Sequence, residues 1–229
     1  MNNIFITGIS SGIGKALAQF YAHKGVSVFG ISRRELDYNH TNIHHIQLDM
    51  TDFKNFKKLK SFIPEKVDLC ILNAGVLGEM KSMTDSNLSE LKSVMDINLW
   101  AQKEILDVLL QKKIQNILAI SSGAAINGGL GWSGYSLSKA ALNMLIQLYS
   151  KEYPTTKFIS FAPGLVDTAM QDYLCEKVDS KKFQSVQRLK SARGTSAMPT
   201  ADEFAKLFDQ SYEKVISFDS GSFVDIRQL

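Results

Sequence analysis

The eight residues from Thr7 to Gly14, TGISSGIG, constrain the fold more than any other part of the chain. They close a short apolar run and open a helical pattern, with glycines at positions 8, 12 and 14. Glycines at such a junction let backbone amides approach a pyrophosphate, whose charge the helix N-terminus stabilises. A Walker A loop is excluded on two counts. Five residues separate Gly8 from Gly14 where that loop has about four, and Ala16 follows Lys15 where a Mg²⁺-binding hydroxyl is required. Taken alone, the segment reads as a tight turn or as a nucleotide cradle. Its place after the first strand points to the cradle.

Around this loop, β-branched and aromatic runs alternate with amphipathic stretches. Strands are predicted at 4–6, 26–31, 43–48, 67–72, 114–120 and 157–161, with a last one in 217–225. Helices are predicted at 12–23, 52–62, 87–111, 133–153, 169–190 and 200–213. Such alternation indicates an α/β fold: a single-domain, Rossmann-type, doubly wound parallel β-sheet with helices on both faces. With 229 residues, 45% of them hydrophobic, the chain can bury one large core over 1–229. Residues 1–120 form the expected cofactor half and 121–229 the catalytic and substrate half.

Charge and cysteine usage remove several classes. Lys and Arg number 26 against 23 Asp and Glu, spread along the chain, which argues against nucleic acid as a partner. No apolar run reaches the roughly 18 residues of a membrane helix. Cys70 and Cys175 are the only cysteines, and MNNIFITG carries no export-signal pattern, so a reduced, cytoplasmic protein is expected. His40, His44 and His45 lie close together, but no Cys or acid pattern completes a metal set, and no metal is expected.

The chemistry concentrates in Ser122, Tyr135 and Lys139. Tyr135 and Lys139 are one helical turn apart, where an ammonium can lower a phenol toward the working pH and make it a proton donor. A lysine in so apolar a helix is costly unless it serves a site. Ser122 follows a strand, at the edge where such sheets bind ligands. Asn98 falls on the apolar stripe of helix 87–111 and needs partners there. The stretch 137–148 is apolar on nearly all sides, which calls for a partner subunit as well as the sheet. Arg33 follows the second strand, where an acid would bind a ribose 2′-hydroxyl and an arginine a 2′-phosphate, so NADP(H) is favoured over NAD(H). A solvated turn charge is the alternative reading of Arg33.

With these motifs the sequence resembles the short-chain dehydrogenase/reductase family over essentially its whole length. The likeness rests on the glycine loop, Asn73-Ala74-Gly75, Asn98, Ser122, Tyr135, Lys139 and Pro163-Gly164, in the family's order. It implies Tyr135 as general acid/base, Ser122 holding the substrate carbonyl, Lys139 on the nicotinamide ribose, and Asn98 supporting a water-linked proton path. For the cofactor it implies Gly8, Ser10, Ser11, Gly12, Ile13 and Gly14 at the pyrophosphate. Asp49 and Met50 would lie at the adenine, Asn73, Ala74 and Gly75 beside the ribose, and Pro163, Gly164, Val166 and Thr168 near the nicotinamide. A narrower likeness, in residues 121–125, 131–132, 162–171 and 220–225, is to the sepiapterin and benzil reductase branch. It implies a substrate pocket of Ser122, Trp132, Tyr135, Met170 and Asp225. Asp225 would either anchor a guanidine-like substrate edge or be neutralised by Arg227. The basic stretch 177–193 reads as a lid or as a solvated helix face.

The resulting expectation is an NADPH-dependent reductase of a ketone or vicinal dicarbonyl, working as a homodimer or homotetramer without nucleic acid or membrane. The alternatives are a non-catalytic NADP-binding regulator and an alcohol dehydrogenase working mainly in the oxidative direction. Retention of both Tyr135 and Lys139 favours the enzyme.

Overall fold

A computed structural model describes residues 1–229. Seven parallel strands form one sheet in the order β3-β2-β1-β4-β5-β6-β7. They are β1 (Asn3–Thr7), β2 (Ser27–Ser32), β3 (Ile43–Gln47), β4 (Lys66–Leu72), β5 (Lys113–Ile120), β6 (Lys157–Ala162) and β7 (Ser222–Asp225). The strand order reverses direction between β1 and β4. At that reversal the chain leaves a crevice beyond the carboxyl ends of the strands.

Period-two alternation sends successive side chains of each strand to opposite faces. Ile4 and Ile6 of β1 enter one core with Leu17 of α1 (Gly12–His23) and Phe204 and Phe208 of α8 (Ala201–Ile216). Phe5 enters the other, with Cys70, Ile105 of α4 (Ala101–Leu109) and Leu142 of α5 (Ser133–Glu152). Each fully buried side chain of this kind contributes about 1.5–3 kcal/mol. Thr200 and Glu203 form a reciprocal capping box that starts α8.

Three predicted elements differ. Residues 52–62 are a 3₁₀ segment, Phe53–Lys58, followed by the single turn α2 (Leu59–Phe62). Only Phe56 and Leu59 are buried there, too few to hold a longer helix among the lysines. The stretch 169–190 is three pieces: α6 (Ala169–Asp172), a π turn Tyr173–Lys177, and α7 (Gln184–Ala192). The Asp179 carboxylate accepts the Lys181 amide at 2.8 Å, a local turn that competes with the helix. The last strand is confined to Ser222–Asp225 because a turn closes from Ser222 N–H to the Asp219 carbonyl.

The helix predicted at 87–111 is continuous but not uniform: α3 (Leu88–Met95), a π turn Asp96–Trp100, then α4. A third, smaller apolar cluster of eight buried residues caps the crevice. It draws on Leu174, Phe183, Val186 and Leu189, with Trp132, Met170 and Cys175 packed against it. Leu137, Met144 and Leu148 of α5 stay half-exposed, at 50%, 54% and 54%, on its outer face. No helix is long and apolar enough to cross a membrane.

Candidate active site

A cavity of about 430 Å³ lies beyond the carboxyl ends of the strands. One end is the glycine loop. Gly14 is required there by close approach, since a Cβ at this position would stand 2.3 Å from the Gly8 carbonyl oxygen. The loop is tied across the strand reversal by Thr7, whose hydroxyl accepts the amides of Asn73 and Ala74, both at 2.9 Å. Asn73 Nδ2 donates back to the Thr7 carbonyl at 2.9 Å, so β1 and β4 are locked before any ligand arrives. Gly8, Ser10, Ser11, Gly12 and Ile13 line this end, with Asn73, Ala74 and Gly75 opposite. A dinucleotide fits this cradle, where bare backbone faces a helix N-terminus.

The adenine end is bounded by Arg33, Arg34, Asp49 and Met50. Hydrogen bonds from the Thr51 amide and hydroxyl hold the Asp49 carboxyl below the usual carboxylate range, aided by the Arg33 charge. Arg34 Nη2 donates to Ser11 Oγ at 2.9 Å, which sets a second guanidinium against the glycine loop. Position alone gave no reason to prefer Arg34 over its neighbour, and only the structure shows its reach. Lys15, the other cation of the loop, is paired with Asp37 at 2.7 Å.

Ser122, Tyr135 and Lys139 meet on one wall. Ser122 is delivered by the end of β5, while Tyr135 and Lys139 come from successive turns of α5. Lys139 is 3% exposed, its Nζ donates to the Ile120 carbonyl at 2.7 Å, and burial pulls its pKa down to about 8. Its ammonium stands 5.8 Å from the Tyr135 ring centroid. The expectation that this ammonium lowers the phenol is therefore corrected for the cofactor-free site. Burial raises Tyr135, and the nearby Ser122 hydroxyl is the opposing influence.

Asn98 stands in the π turn behind the wall and does not line the cavity. Its Oδ1 accepts the Val76 amide at 2.8 Å, while Nδ2 donates to the Val76 carbonyl at 2.8 Å and to Ser138 Oγ at 2.9 Å. A side chain so committed fixes the 73–76 loop to α5. Gly75 passes close by, where a Cβ would lie 3.1 Å from Asn98 Oδ1 and 3.4 Å from Lys139 Nζ.

Pro163, Gly164, Val166 and Thr168 line the floor. Thr168 faces Gly12 closely enough that a Cβ there would touch its Cγ2 at 3.4 Å. The remaining end is apolar, with Trp132, Met170, Leu174 and Leu189. Trp132 is fixed by a 2.8 Å hydrogen bond from Nε1 to Ser185 Oγ and lies 5.9 Å from the Tyr135 ring, centroid to centroid. Val76, Ile97 and Leu165 join this end but belong to no motif, and their apolar character alone could not separate them from core.

Asp225 is not brought to the cavity. Arg227 donates to its carboxylate from Nε at 2.9 Å and from Nη2 at 2.5 Å, and this partner lowers the carboxyl's pKa against the effect of burial. The expectation of a substrate-anchoring Asp225 is thus corrected in favour of local neutralisation. Its own chain supplies the bidentate partner. The histidines form no metal set: His44 stacks on Phe29 and His45 Nε2 is 2.8 Å from Ser32 Oγ.

Comparison with known proteins agrees with this geometry. The family model described as short chain dehydrogenase matches residues 2–179. The chain is 32% identical to a benzil reductase ((S)-benzoin forming) of Bacillus cereus over 232 residues, covering 90% of this chain and 92% of that protein. It is 28% identical to the Bacillus subtilis (strain 168) protein of the same name, over the full length of both. Among solved structures, the short-chain dehydrogenase/reductase YIR035C of Saccharomyces cerevisiae superposes with a TM-score of 0.86 at 24% identity, over 99% of this chain and 96% of that one. The chain is an oxidoreductase of the short-chain dehydrogenase family.

Proposed function

We propose that this chain is an NADPH-dependent carbonyl reductase acting on a vicinal dicarbonyl or related ketone. The observation that carries the proposal is the meeting of Ser122, Tyr135 and Lys139 beside an apolar end, in a cavity whose far end offers a pyrophosphate cradle and two guanidiniums. When bound, the nicotinamide supplies a hydride for the carbonyl carbon. The Ser122 and Tyr135 hydroxyls hold the carbonyl oxygen, and Tyr135 delivers the proton that converts the developing alkoxide to a hydroxyl. Lys139, still charged at neutral pH although burial lowers its pKa to about 8, is placed to donate to the ribose hydroxyls.

Gly8 to Gly14 would hold the pyrophosphate, Asp49 and Met50 the adenine, and Arg33 the 2′-phosphate, with Arg34 alongside. Asn73 to Gly75 and Pro163 to Thr168 would flank the ribose and nicotinamide. Trp132 and Met170, with the aliphatic side chains around them, suit an aryl or alkyl diketone. The Arg227-closed Asp225 removes the carboxylate that a pterin edge would need. Two unbonded cysteines accord with a reducing cytoplasm, and the exposed stripe of α5 with a homodimer or homotetramer.

The test is spectrophotometric: oxidation of NADPH and NADH with benzil, sepiapterin and a simple ketone. The proposal expects NADPH with benzil to be the fastest pair. No carbonyl-dependent oxidation of either cofactor would overturn it.

A further inference from the structure

We propose that Arg193 is a positioning residue for the reduction: one guanidinium ties the cap over the substrate end of the cavity to the loop that carries Thr168. Arg193 directly follows α7, which contributes Leu189 to the cavity. Its Nε stands 3.1 Å from Asp167 Oδ1, its Nη1 3.7 Å from Glu176 Oε1, and its Nη2 contacts Asp172 Oδ1. Each partner belongs to a different piece of the site. Asp167 immediately precedes Thr168 and is anchored by its amide to the Pro199 carbonyl at 2.8 Å. Asp172 ends α6, which turns Met170 and Gln171 into the cavity. Glu176 lies in the π turn that supplies Leu174.

The planar fork of an arginine presents five donors along a wide, fixed edge, which suits carboxylates on separate elements better than the compact ammonium of a lysine does. Asp167 Oδ1 is buried without a well-aligned hydrogen bond, so the Arg193 contact is its compensation. Removing the guanidinium would leave three carboxylates converging at the seam between cap and loop. Apolar packing alone then has to keep the seam shut. The cap cluster has eight buried residues, against 23 and 21 in the two main cores, so it resists least. Just beyond Arg193, Gly194 turns the chain at φ +77° with no atom within 4 Å of where its Cβ would stand. Since apparent affinity falls with the population of the competent state, the tie acts on substrate binding and leaves the chemical groups untouched.

The kinetic arm of the test rests on the proposed reductase activity; the cleavage arm does not. Arg193→Gln and Arg193→Lys are compared with the wild type in the full-length protein, with NADPH affinity and thermal midpoint measured alongside. Limited trypsinolysis, read by mass at Lys177, Lys181, Lys182, Arg188 and Lys190, reports the cap. In Arg193→Gln the cap should be cut on the order of tenfold faster, and KM for the dicarbonyl should rise on the order of tenfold with kcat within about twofold. Arg193→Lys should fall between. Cleavage or KM unchanged would overturn the proposal, as would a joint fall of kcat, NADPH affinity and thermal midpoint, which marks a merely structural role. If the wild type reduces no dicarbonyl, the reductase reading fails on its own, and cap cleavage alone decides for or against the tie.

Discussion

At the scale of single residues, the catalytic wall is built around a costly group. Lys139 is buried with one carbonyl partner, and its pKa falls to about 8 where an unfolded chain would hold it near 10.4. Between those values the unfolded chain binds the extra proton, so the penalty is full below about pH 8 and disappears as pH rises toward 10. Urea titrations of the cofactor-free protein should therefore show Lys139→Met gaining on the wild type most at pH 7, with the gain shrinking by pH 10. A constant difference across that range would show that Lys139 titrates normally. Tyr135→Phe should lower kcat by about a hundredfold or more while NADPH still binds, measured by steady-state kinetics and by quenching of protein fluorescence. Arg33→Ala should weaken NADPH by about 1.5–3 kcal/mol and leave NADH nearly unchanged in the same binding assay. Equal losses would show that Arg33 does not read the 2′-phosphate.

At the scale of elements, the Asp225–Arg227 pair shows what a strand end does when its side chains answer each other. Asp225 has a side-chain exposure of 6% and Arg227 of 50%, so the carboxylate carries the desolvation. Its lowered pKa means that the pair's contribution is present above the ordinary carboxylate value and is lost as pH falls through the folded one. Asp225→Asn should cost about 1–3 kcal/mol of stability in urea at pH 7 and leave KM for a small diketone unchanged. A selective rise in KM would return Asp225 to the substrate site. The same segment marks where sequence reading ran out. The strands and the covering helices other than 52–62 were legible because one period of apolar residues decides each. The tail and the stretch 169–190 were not, because Asp219 and Asp179 close local turns that no periodicity announces. Within the site, Ser122, Tyr135 and Lys139 were legible from chemistry at fixed spacing. Asn98 was legible as a buried polar group, but its bonds to Val76 and Ser138 depend on a π turn invisible in the residue pattern.

At the scale of the whole molecule, Leu137, Met144 and Leu148 lie along the outer face of α5, and Trp100, 48% exposed, stands on the neighbouring helical run. A stripe of this kind suits a symmetric contact between identical copies. Sedimentation at micromolar concentration should give a dimer or tetramer, and Met144→Glu should shift it to monomer; a monomeric wild type would sink this. The two cysteines, one sealed in the sheet and one half-covered in the cap, turn the protein into a pair of independent clocks. Cys70 sits in β4 at 0% exposure with its thiol pushed far up by burial, so a thiol-specific reagent can reach it only through global unfolding. Cys175 belongs to the π turn against the cap and answers to local opening. Under native conditions the chain should therefore label in two phases, the fast one timing the breathing of the cap and the slow one the lifetime of the fold.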